Sequence, residues 1–485
     1  MRDDDDFERR LGQRLRAYES RVRDAAAPDP RGLRSRPRFP WPILAGGGAA
    51  LLAGTVLGFA LLGEPAPVGD ASPSAEPSTT PTASSQPTGT PGATPAPTAT
   101  PPAATATPAP AATPGTTLEW EMTASFGEGP GPAMALDVVA ADAGLVAVGV
   151  QHRGAIPILG PTLGHDGRIW RSDDGTSWED VTPGDTFANV TLDTIITRPD
   201  GVFVAVGRLH EEGEFGQLDP IGTGAWESTD GVTWTPTPTG LPEGEIATNV
   251  VQGGRGYLAV VAPPDLSGGA DLWFSEDAQD WELVRTAGDG SHYIIDAGAE
   301  GFVAAGVDFV DGANEPFAIA SADGREWFDA TSPPPAPAAL AALGGDWVVV
   351  SGTFEEEGLR PSDRAATWFS PNGLDWTQHG EVMLDSVPAE PLTCVEFPDR
   401  FTSAGPWMVL GSTLSYPCGE GGFVVHGTQR ISIDGATWEA LPFPGGSLGT
   451  SHSGSAISAA VVVDGSLVLV GQSDGLAAFW IGEQP

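Results

Sequence analysis

Acidic side chains are the residues of this chain most able to do chemistry, since 64 of its 485 residues are Asp or Glu. Paired carboxylates can cleave glycosidic bonds, and clustered ones attract cations or basic partners. Several acids fall between apolar, strand-like segments, where loops on a rigid scaffold commonly carry function. These candidate binding residues are Glu211, Glu212, Glu214, Asp308, Asp311, Glu355, Glu356 and Glu357. We expect them to lie on one binding face, which also includes the loops 151–169 and 412–429.

The sequence offers no combination of motifs that assigns a catalytic or metal-binding site. It has no HExxH and no phosphate-loop Lys, and its seven His are scattered singly. We therefore assign no catalytic, cofactor-binding or metal-binding residue, and we expect no cofactor. Cys394 and Cys418 are the only cysteines. In an oxidising compartment they can form a structural disulfide, and two buried free thiols are the alternative.

Charge is segregated along the chain. Eleven of the 23 basic residues, all of them Arg, lie within residues 1–40, which leaves 12 Arg against 56 acids from position 41 onward. A surface this acidic repels phosphate backbones, and we therefore do not expect nucleic acid as a partner.

The N-terminal part of the chain predicts a membrane anchor. Residues 1–40 contain a short amphipathic pattern at 7–24, and residues 41–63 form an uncharged apolar run long enough to span a bilayer as a helix. Arg residues crowd the N-terminal flank of this run, so the positive-inside rule places the N-terminus in the cytoplasm. We therefore predict a single-pass protein of the cell membrane with its large C-terminal part extracytoplasmic. A cleaved signal peptide is the competing interpretation.

Residues 64–117 consist almost wholly of Pro, Thr, Ala, Ser and Gly. A segment of this composition cannot form a core and predicts a disordered stalk.

A nine-residue pattern recurs six times between positions 170 and 438, with Ser third, Asp or Asn fifth and Trp last. The Asp or Asn can bond nearby backbone N–H groups and the adjacent Gly accepts positive φ, so each copy predicts a tight hairpin with a packing Trp. Its residues are Asp174, Gly175, Trp178, Asp230, Gly231, Trp234, Asp277, Trp281, Asp323, Gly324, Trp327, Asn372, Gly373, Trp376, Asp434, Gly435 and Trp438.

A second, apolar hairpin precedes each copy, as in TLDTIITRPDGVFVAVG at 191–207. Two hairpins make a four-stranded propeller blade, so six blades are explicit over 118–485. The two chain ends supply a seventh, because 476–482 lacks a closing strand and Leu118-Glu-Trp120 resembles one. We predict an all-β, seven-bladed β-propeller closed by its N-terminal strand, with six blades as the alternative.

The hairpin copies resemble the Asp-box, or BNR, repeats of sialidase-like propellers, and the whole of 118–485 looks like a membrane-anchored bacterial member of that group. One residue is missing between Asp and Gly relative to the usual S-x-D-x-G-x-T-W. The resemblance implies a structural turn and no particular activity. Sialidases of this type use three Arg, a Tyr–Glu pair and an Asp, whereas residues 135–144 lack their Arg-x-Pro motif. The balance is therefore against an enzyme.

Export, the repeat fold and the missing catalytic set together favour a binding or scaffolding module for a protein or a glycan. The alternatives are an exported, sialidase-like glycoside hydrolase and a transmembrane sensor whose residues 1–40 contact a cytoplasmic partner.

Overall fold

The computed structural model describes the propeller part of the chain, with gaps. All regular secondary structure in the described residues is β-strand. The ranges are 117–127, 131–153, 164–213, 218–264, 269–286, 292–310, 313–355, 360–384, 386–389, 392–415, 425–426, 428–443 and 455–484. No helix in these ranges is long and apolar enough to cross a membrane. The predicted segments 1–40 and 41–63, and all but the last residue of 64–117, lie outside them.

Thirty strands, numbered in chain order, form seven antiparallel sheets, which we number as blades 1 to 7. The first strand, β1 (Glu119–Phe126), belongs to the last blade. The strands of each blade are given from the inner to the outer one. Blade 1 contains β2 (Ala133–Ala141), β3 (Gly144–His152), β4 (His165–Ser172) and β5 (Trp178–Asp180), and blade 2 contains β6 (Val190–Thr197), β7 (Phe203–Glu212), β8 (Leu218–Ser228) and β9 (Thr235–Thr237). Blade 3 contains β10 (Ile246–Gly253), β11 (Gly256–Ala262), β12 (Asp271–Ser275) and β13 (Glu282–Arg285).

Blades 4 and 5 follow the same order. They contain β14 (His292–Ala297), β15 (Phe302–Val310), β16 (Ala313–Ser321), β17 (Phe328–Asp329); and β18 (Pro337–Leu343), β19 (Asp346–Glu355), β20 (Arg360–Ser370), β21 (Thr377–Met383).

Blade 6 has two extra short strands, since β22 pairs with the start of its long inner strand and β25 with β24. Its strands are β22 (Ser386–Ala389), β23 (Leu392–Ala404), β24 (Trp407–Ser415), β25 (Val425–His426), β26 (Arg430–Ser432) and β27 (Glu439–Ala440). Blade 7 consists of β28 (Ser455–Val463), β29 (Ser466–Ser473), β30 (Leu476–Glu483) and, as its outer strand, β1.

The count of seven blades confirms the predicted all-β, seven-bladed propeller and makes the six-bladed alternative wrong. In blade 7 the N-terminal strand pairs with the C-terminal one, Glu119 opposite Glu483 and Phe126 opposite Ala477. The ends of the described chain thus meet in one sheet, and β30 has a neighbour on both sides.

The hydrophobic core consists of seven clusters, and each lies between two adjacent blades. Between blades 7 and 1, for example, Trp178 stacks on Phe479 with ring centroids 4.3 Å apart. Trp178 closes the first Asp-box copy, so its packing role between sheets is the one the repeat pattern predicts. Apolar burial of this kind is the main favourable term holding the blades together.

A β-bulge interrupts the inner strand of most blades at the same level, and a glycine of the second strand lies opposite it in blades 1, 2 and 7. In blade 2 this is Gly207, opposite Leu192. A Cβ on Gly207 would lie 2.2 Å from the Thr191 carbonyl oxygen. The glycine that follows the apolar run within each of these strands therefore reflects close approach of two backbones, for which only glycine has room.

Candidate binding face

The two sides of the propeller are built from different connections because successive antiparallel strands turn on opposite sides. The turns of the six nine-residue copies are called Asp-box turns here only for the repeats that they resemble. We call the side with these turns and the turns between first and second strands the turn face. The opposite side carries the connections between second and third strands and those between blades, and we call it the loop face. Of the candidate residues predicted from the sequence, Glu211, Glu212, Asp308 and Glu355 belong to the loop face.

Each described Asp-box turn satisfies its own polar groups. In the first copy the Asp174 carboxylate accepts hydrogen bonds from the backbone N–H groups of Thr176 and Ser177, both at 2.8 Å. Gly175 N–H donates to the Ser172 hydroxyl at 2.9 Å, and the Trp178 indole N–H donates to the Gly175 carbonyl at 3.0 Å. These backbone donors hold the pKa of Asp174 well below its usual range. Asp174 therefore keeps its negative charge, and one of its two carboxylate oxygens is occupied by the turn itself.

In the other five copies a side-chain oxygen accepts the same two backbone N–H groups. It is a carboxylate oxygen of Asp230, Asp277, Asp323 and Asp434 and the amide oxygen of Asn372. The indole N–H bond to the turn glycine recurs at Trp234, Trp327, Trp376 and Trp438. In the third copy Ala278 replaces the glycine and adopts a positive φ of 61°. Its closing residue, Trp281, packs against the core between blades 2 and 3.

The acidic segments predicted as loops turn out to be largely strand. Glu211 and Glu212 end β7, Asp308 lies on β15, and Glu355 ends β19. Cross-strand pairing continues beyond the blade bodies, so these residues project on hairpins. Sequence reasoning placed the turns too early because polar residues in an exposed hairpin look like a loop. Glu214, Asp311, Glu356 and Glu357 lie outside the described residues, as does Cys418, and the side chains of Glu355 and Cys394 are not described.

Like charges face each other across two of these hairpins. In blade 2, Glu211 lies directly opposite Asp219, and in blade 4, Asp308 lies opposite Glu315. Glu211 and Glu315 are exposed. Like charges directly opposite each other in a sheet are destabilising, so the hairpin of blade 4, where Asp308 faces Glu315, would gain from a cation or a cationic partner.

An ion pair joins the loop-face ends of β3 and β4. The Arg153 guanidinium donates Nε to the Asp166 carboxylate at 2.9 Å, and its Nη2 approaches the second oxygen. The Asp166 hydrogen bond is the main factor that raises the pKa of Arg153, and Asp185 and Glu212 act in the same direction. Asp166 also accepts the backbone N–H of Asn189, in the connection from blade 1 to blade 2, at 3.3 Å.

Three histidines lie together beneath this ion pair, where blades 1 and 2 meet. His152 faces His165 across β3 and β4, with ring centroids 5.7 Å apart. The ring of His210, on β7, meets that of His165 at 4.4 Å and 88°. The Thr191 hydroxyl lies 2.8 Å from His165 Nε2 and 3.1 Å from His210 Nε2. We call these three residues the histidine cluster.

Sequence reasoning missed the histidine cluster, although a signal was present. Blades 1 and 2 share the spacing G-x-x-H, with Gly149 before His152 and Gly207 before His210. Since each glycine marks the same level of its blade, the spacing places both imidazoles at the same height. In the described part of the chain, no group of three or more His, Cys, Asp or Glu residues is arranged to hold a metal ion.

Two aspartates of the inner strands were also missed. Asp137 accepts the backbone N–H groups of Val138 and, from blade 2, Ile195, both at 2.8 Å. Asp296 does the same with Ala297 and, from blade 5, Ala342. Burial raises the pKa of Asp137 to about 7 and that of Asp296 to about 6. Each carboxyl group therefore links the inner strands of adjacent blades.

Arg153 and Arg208 of the loop face are both engaged with acids, and Arg208 shows this most clearly. It donates to both oxygens of Asp193 at 2.8 and 2.6 Å. The two described tyrosines of the propeller are buried, and the Tyr257 hydroxyl donates to the Thr197 carbonyl at 2.7 Å. Burial raises the pKa of Tyr257 and of Tyr293 to about 12. Neither tyrosine has the exposed, activated hydroxyl of the nucleophile that the sialidase resemblance implies.

Comparison with known proteins gives no family assignment. No protein-family profile matches the chain, and no curated protein matches it. Among solved structures, the chain is similar to an ulvan lyase of polysaccharide lyase family PL25, with 13% identity, a TM-score of 0.42, and coverage of 74% of this chain and 96% of that one. It is also similar to the β-propeller domain of the Trilobed protease from Pyrococcus furiosus, with 11% identity, a TM-score of 0.40, and coverage of 73% and 94%.

Proposed function

We propose that this protein is a membrane-anchored, extracytoplasmic β-propeller that binds a protein or a glycan through its loop face. In this proposal residues 41–63 are a single transmembrane helix, residues 64–117 a disordered stalk, and residues 118–485 an Asp-box propeller whose ring the N-terminal strand holds closed. The N-terminus lies in the cytoplasm. The protein acts as a binding or scaffolding module.

The like-charge pair on the hairpin of blade 4 carries this proposal. A hairpin that holds Asp308 opposite Glu315 keeps an unfavourable charge arrangement that a simple connection would not need. A cationic group on a partner would relieve it. The charges of the described Asp-box carboxylates on the turn face are instead stabilised by hydrogen bonds from backbone N–H groups.

Two exposed apolar residues of blade 2 allow a matched test. Ile221 lies on the loop-face hairpin and is 43% exposed, and Val232 lies in the Asp-box turn and is 42% exposed. A photo-crosslinking amino acid, p-benzoylphenylalanine, placed at either position of the full-length protein in cells should capture a partner from position 221 and not from 232. The readout is the yield and identity of crosslinked species by mass spectrometry.

Neutralising the loop face should reduce this crosslink. The triple substitution Glu211→Gln, Glu212→Gln, Asp308→Asn is expected to lower the yield from position 221 by about 10-fold, which corresponds to ~1.4 kcal/mol of binding free energy. The triple Asp142→Asn, Glu300→Gln, Glu326→Gln makes the same charge change among exposed residues of the turn face and should leave the yield intact. Equal capture from positions 221 and 232, or equal effects of the two triples, would contradict the proposal.

A further inference from the structure

The histidine cluster lies at the joint between blades 1 and 2 and is shared between them. His165 is 7% exposed and belongs to the third strand of blade 1, whereas Thr191 and His210 belong to the first two strands of blade 2. The Thr191 hydroxyl has one proton, so it can donate to one Nε2 and must accept from the other. The two rings are therefore held as opposite neutral tautomers by a single hydroxyl, one from each side of the joint.

The connection between the blades closes over the cluster. Gly167 N–H donates to the Phe187 carbonyl at 2.9 Å, and His210 N–H donates to the Asn189 carbonyl at 3.0 Å. Phe187 itself is 1% exposed and packs in the core between the two blades. The backbone of the connection thus bonds to the same two strands, β4 and β7, that supply His165 and His210. Separation of the rings would require these bonds to open as well.

Protonation of His165 or His210 is unfavourable in this arrangement. An imidazolium has two N–H donors, and the Nδ1 atoms of both rings are buried and lack a hydrogen-bond partner among the described residues. The nearest cations, Arg153 and Arg208, would repel the added charge.

The acids around the cluster are largely committed elsewhere. Asp193 of β6 is held in two hydrogen bonds by Arg208 of β7. Asp166 of β4 is bonded to Arg153, which follows β3. Asp185 of the connection and Glu212 at the end of β7 act on Arg153. Burial lowers the pKa of His165 to about 2, and burial with the Arg208 charge lowers that of His210 to about 4.

We propose that His152, His165 and His210 form an acid-sensitive joint, which opens the contact between β4 and β6–β7 at mildly acidic pH and thereby loosens the hairpin of blade 2 on the loop face. The joint does not require that this face binds a partner, so it can be tested separately from the proposed function.

Proton linkage determines the direction of the change in closure with pH and the pH range over which it occurs. Once the joint opens, His165 and His210 regain an ordinary pKa of 6.5, which is above their values in the closed state. The open state therefore binds more protons below pH 6.5, and closure weakens as the pH falls from 6.5 towards 4. At pH 5 each of His165 and His210 shifts the equilibrium towards opening by about 30-fold relative to neutral pH.

Hydrogen exchange of the full-length protein at pH 7.4, 6.0 and 5.0 tests the joint directly. Protection factors, corrected for the pH dependence of intrinsic exchange, should fall by about 30-fold or more at pH 5.0 in peptides that cover 164–170 and 187–192. Peptides from the centre of blade 5, such as 347–351, should change little. A similar fall in blade 5 would overturn the proposal, because it would mean general acid destabilisation.

Variants separate the histidines from the rest of the joint. His165→Gln with His210→Gln keeps polar groups that can pair with Thr191 but cannot take up a proton, so the pH dependence in blades 1 and 2 should disappear. His210→Gln alone, at the half-buried ring, should reduce the slope of opening against pH by about one proton. The single variant His210→Gln tests the proposal if the double variant does not fold. His379→Gln, at an exposed histidine of β21, is the control. A wild-type slope in His210→Gln would overturn the proposal.

Discussion

Gly207→Ala is expected to lower the free energy of unfolding by about 3 kcal/mol or more, because the new methyl group collides with backbone that cannot move freely. Its Cβ would lie 2.2 Å from the Thr191 carbonyl oxygen and 3.0 Å from Leu192 Cα. The inner strand of blade 2 would have to shift, together with its bulge and the Thr191 hydroxyl that bonds two histidines. Urea denaturation followed by tryptophan fluorescence would measure the loss.

Gly352→Ala is the matched control for this substitution. Gly352 lies near the end of the second strand of blade 5, just after the residue paired across the bulge, yet a Cβ there would have no atom of the described residues within 4 Å. We expect its effect to stay within about 1 kcal/mol of zero. If both substitutions destabilised the protein equally, the cost would come from the loss of glycine in a strand and not from the close approach of the two backbones.

The fold was accessible to sequence reasoning because the chemistry that defines each Asp-box turn is local. Asp174, Gly175 and Trp178 act within five residues, and the same pattern occurs six times, so six of the seven blades follow from counting and the seventh from the two chain ends. The glycine within the second strand of blades 1, 2 and 7 was visible in the sequence too. Its reason was not, because the opposing carbonyl of the bulged inner strand is set by register, which no single strand reveals.

The binding face was accessible only in outline. Acidic residues could be assigned to the connections between second and third strands, but the like-charge pairing of Glu211 with Asp219 depends on the register of the extended hairpin. The histidine cluster and Thr191 assemble residues from four strands of two blades. The histidines looked scattered because the first and the third of them, His152 and His210, are 58 positions apart in the sequence. Predictions for residues 1–40, 41–63 and the Cys394–Cys418 pair stay predictions.

The inner-strand aspartates show how a single side chain can join two blades. Asp137 accepts one N–H from its own strand and one, from Ile195, across the joint to blade 2. Asp137→Ala leaves both of these buried donors without a partner. We expect it to lower the free energy of unfolding by about 2–5 kcal/mol at pH 5. Asp142→Ala, at an exposed position in the turn that follows the same strand, should have an effect within about 0.5 kcal/mol of zero.

The effect of Asp137→Ala should shrink as the pH rises. Burial raises the pKa of this carboxyl group from 3.8 to about 7, although the positive charge of Arg400 opposes the shift. The native state therefore keeps the proton longer than the unfolded chain does. The stability that the protonated group contributes is complete below pH 3.8 and is lost as the pH rises through 7. The difference between variant and wild type should be smaller at pH 8 than at pH 5 by about 2 kcal/mol.

Urea unfolding of both proteins at pH 5, 6, 7 and 8 measures this trend, and the contribution of the histidine cluster cancels because only the difference between them is used. A difference that grows with pH would mean that Asp137 is ionised in the native state throughout, held by its two backbone donors. In that case the joint between blades 1 and 2 would combine a buried carboxylate with neutral histidines, and acid would weaken it from both sides. A shrinking difference would mean instead that Asp137 and the histidines oppose each other, so that the joint is most stable between the two titrations.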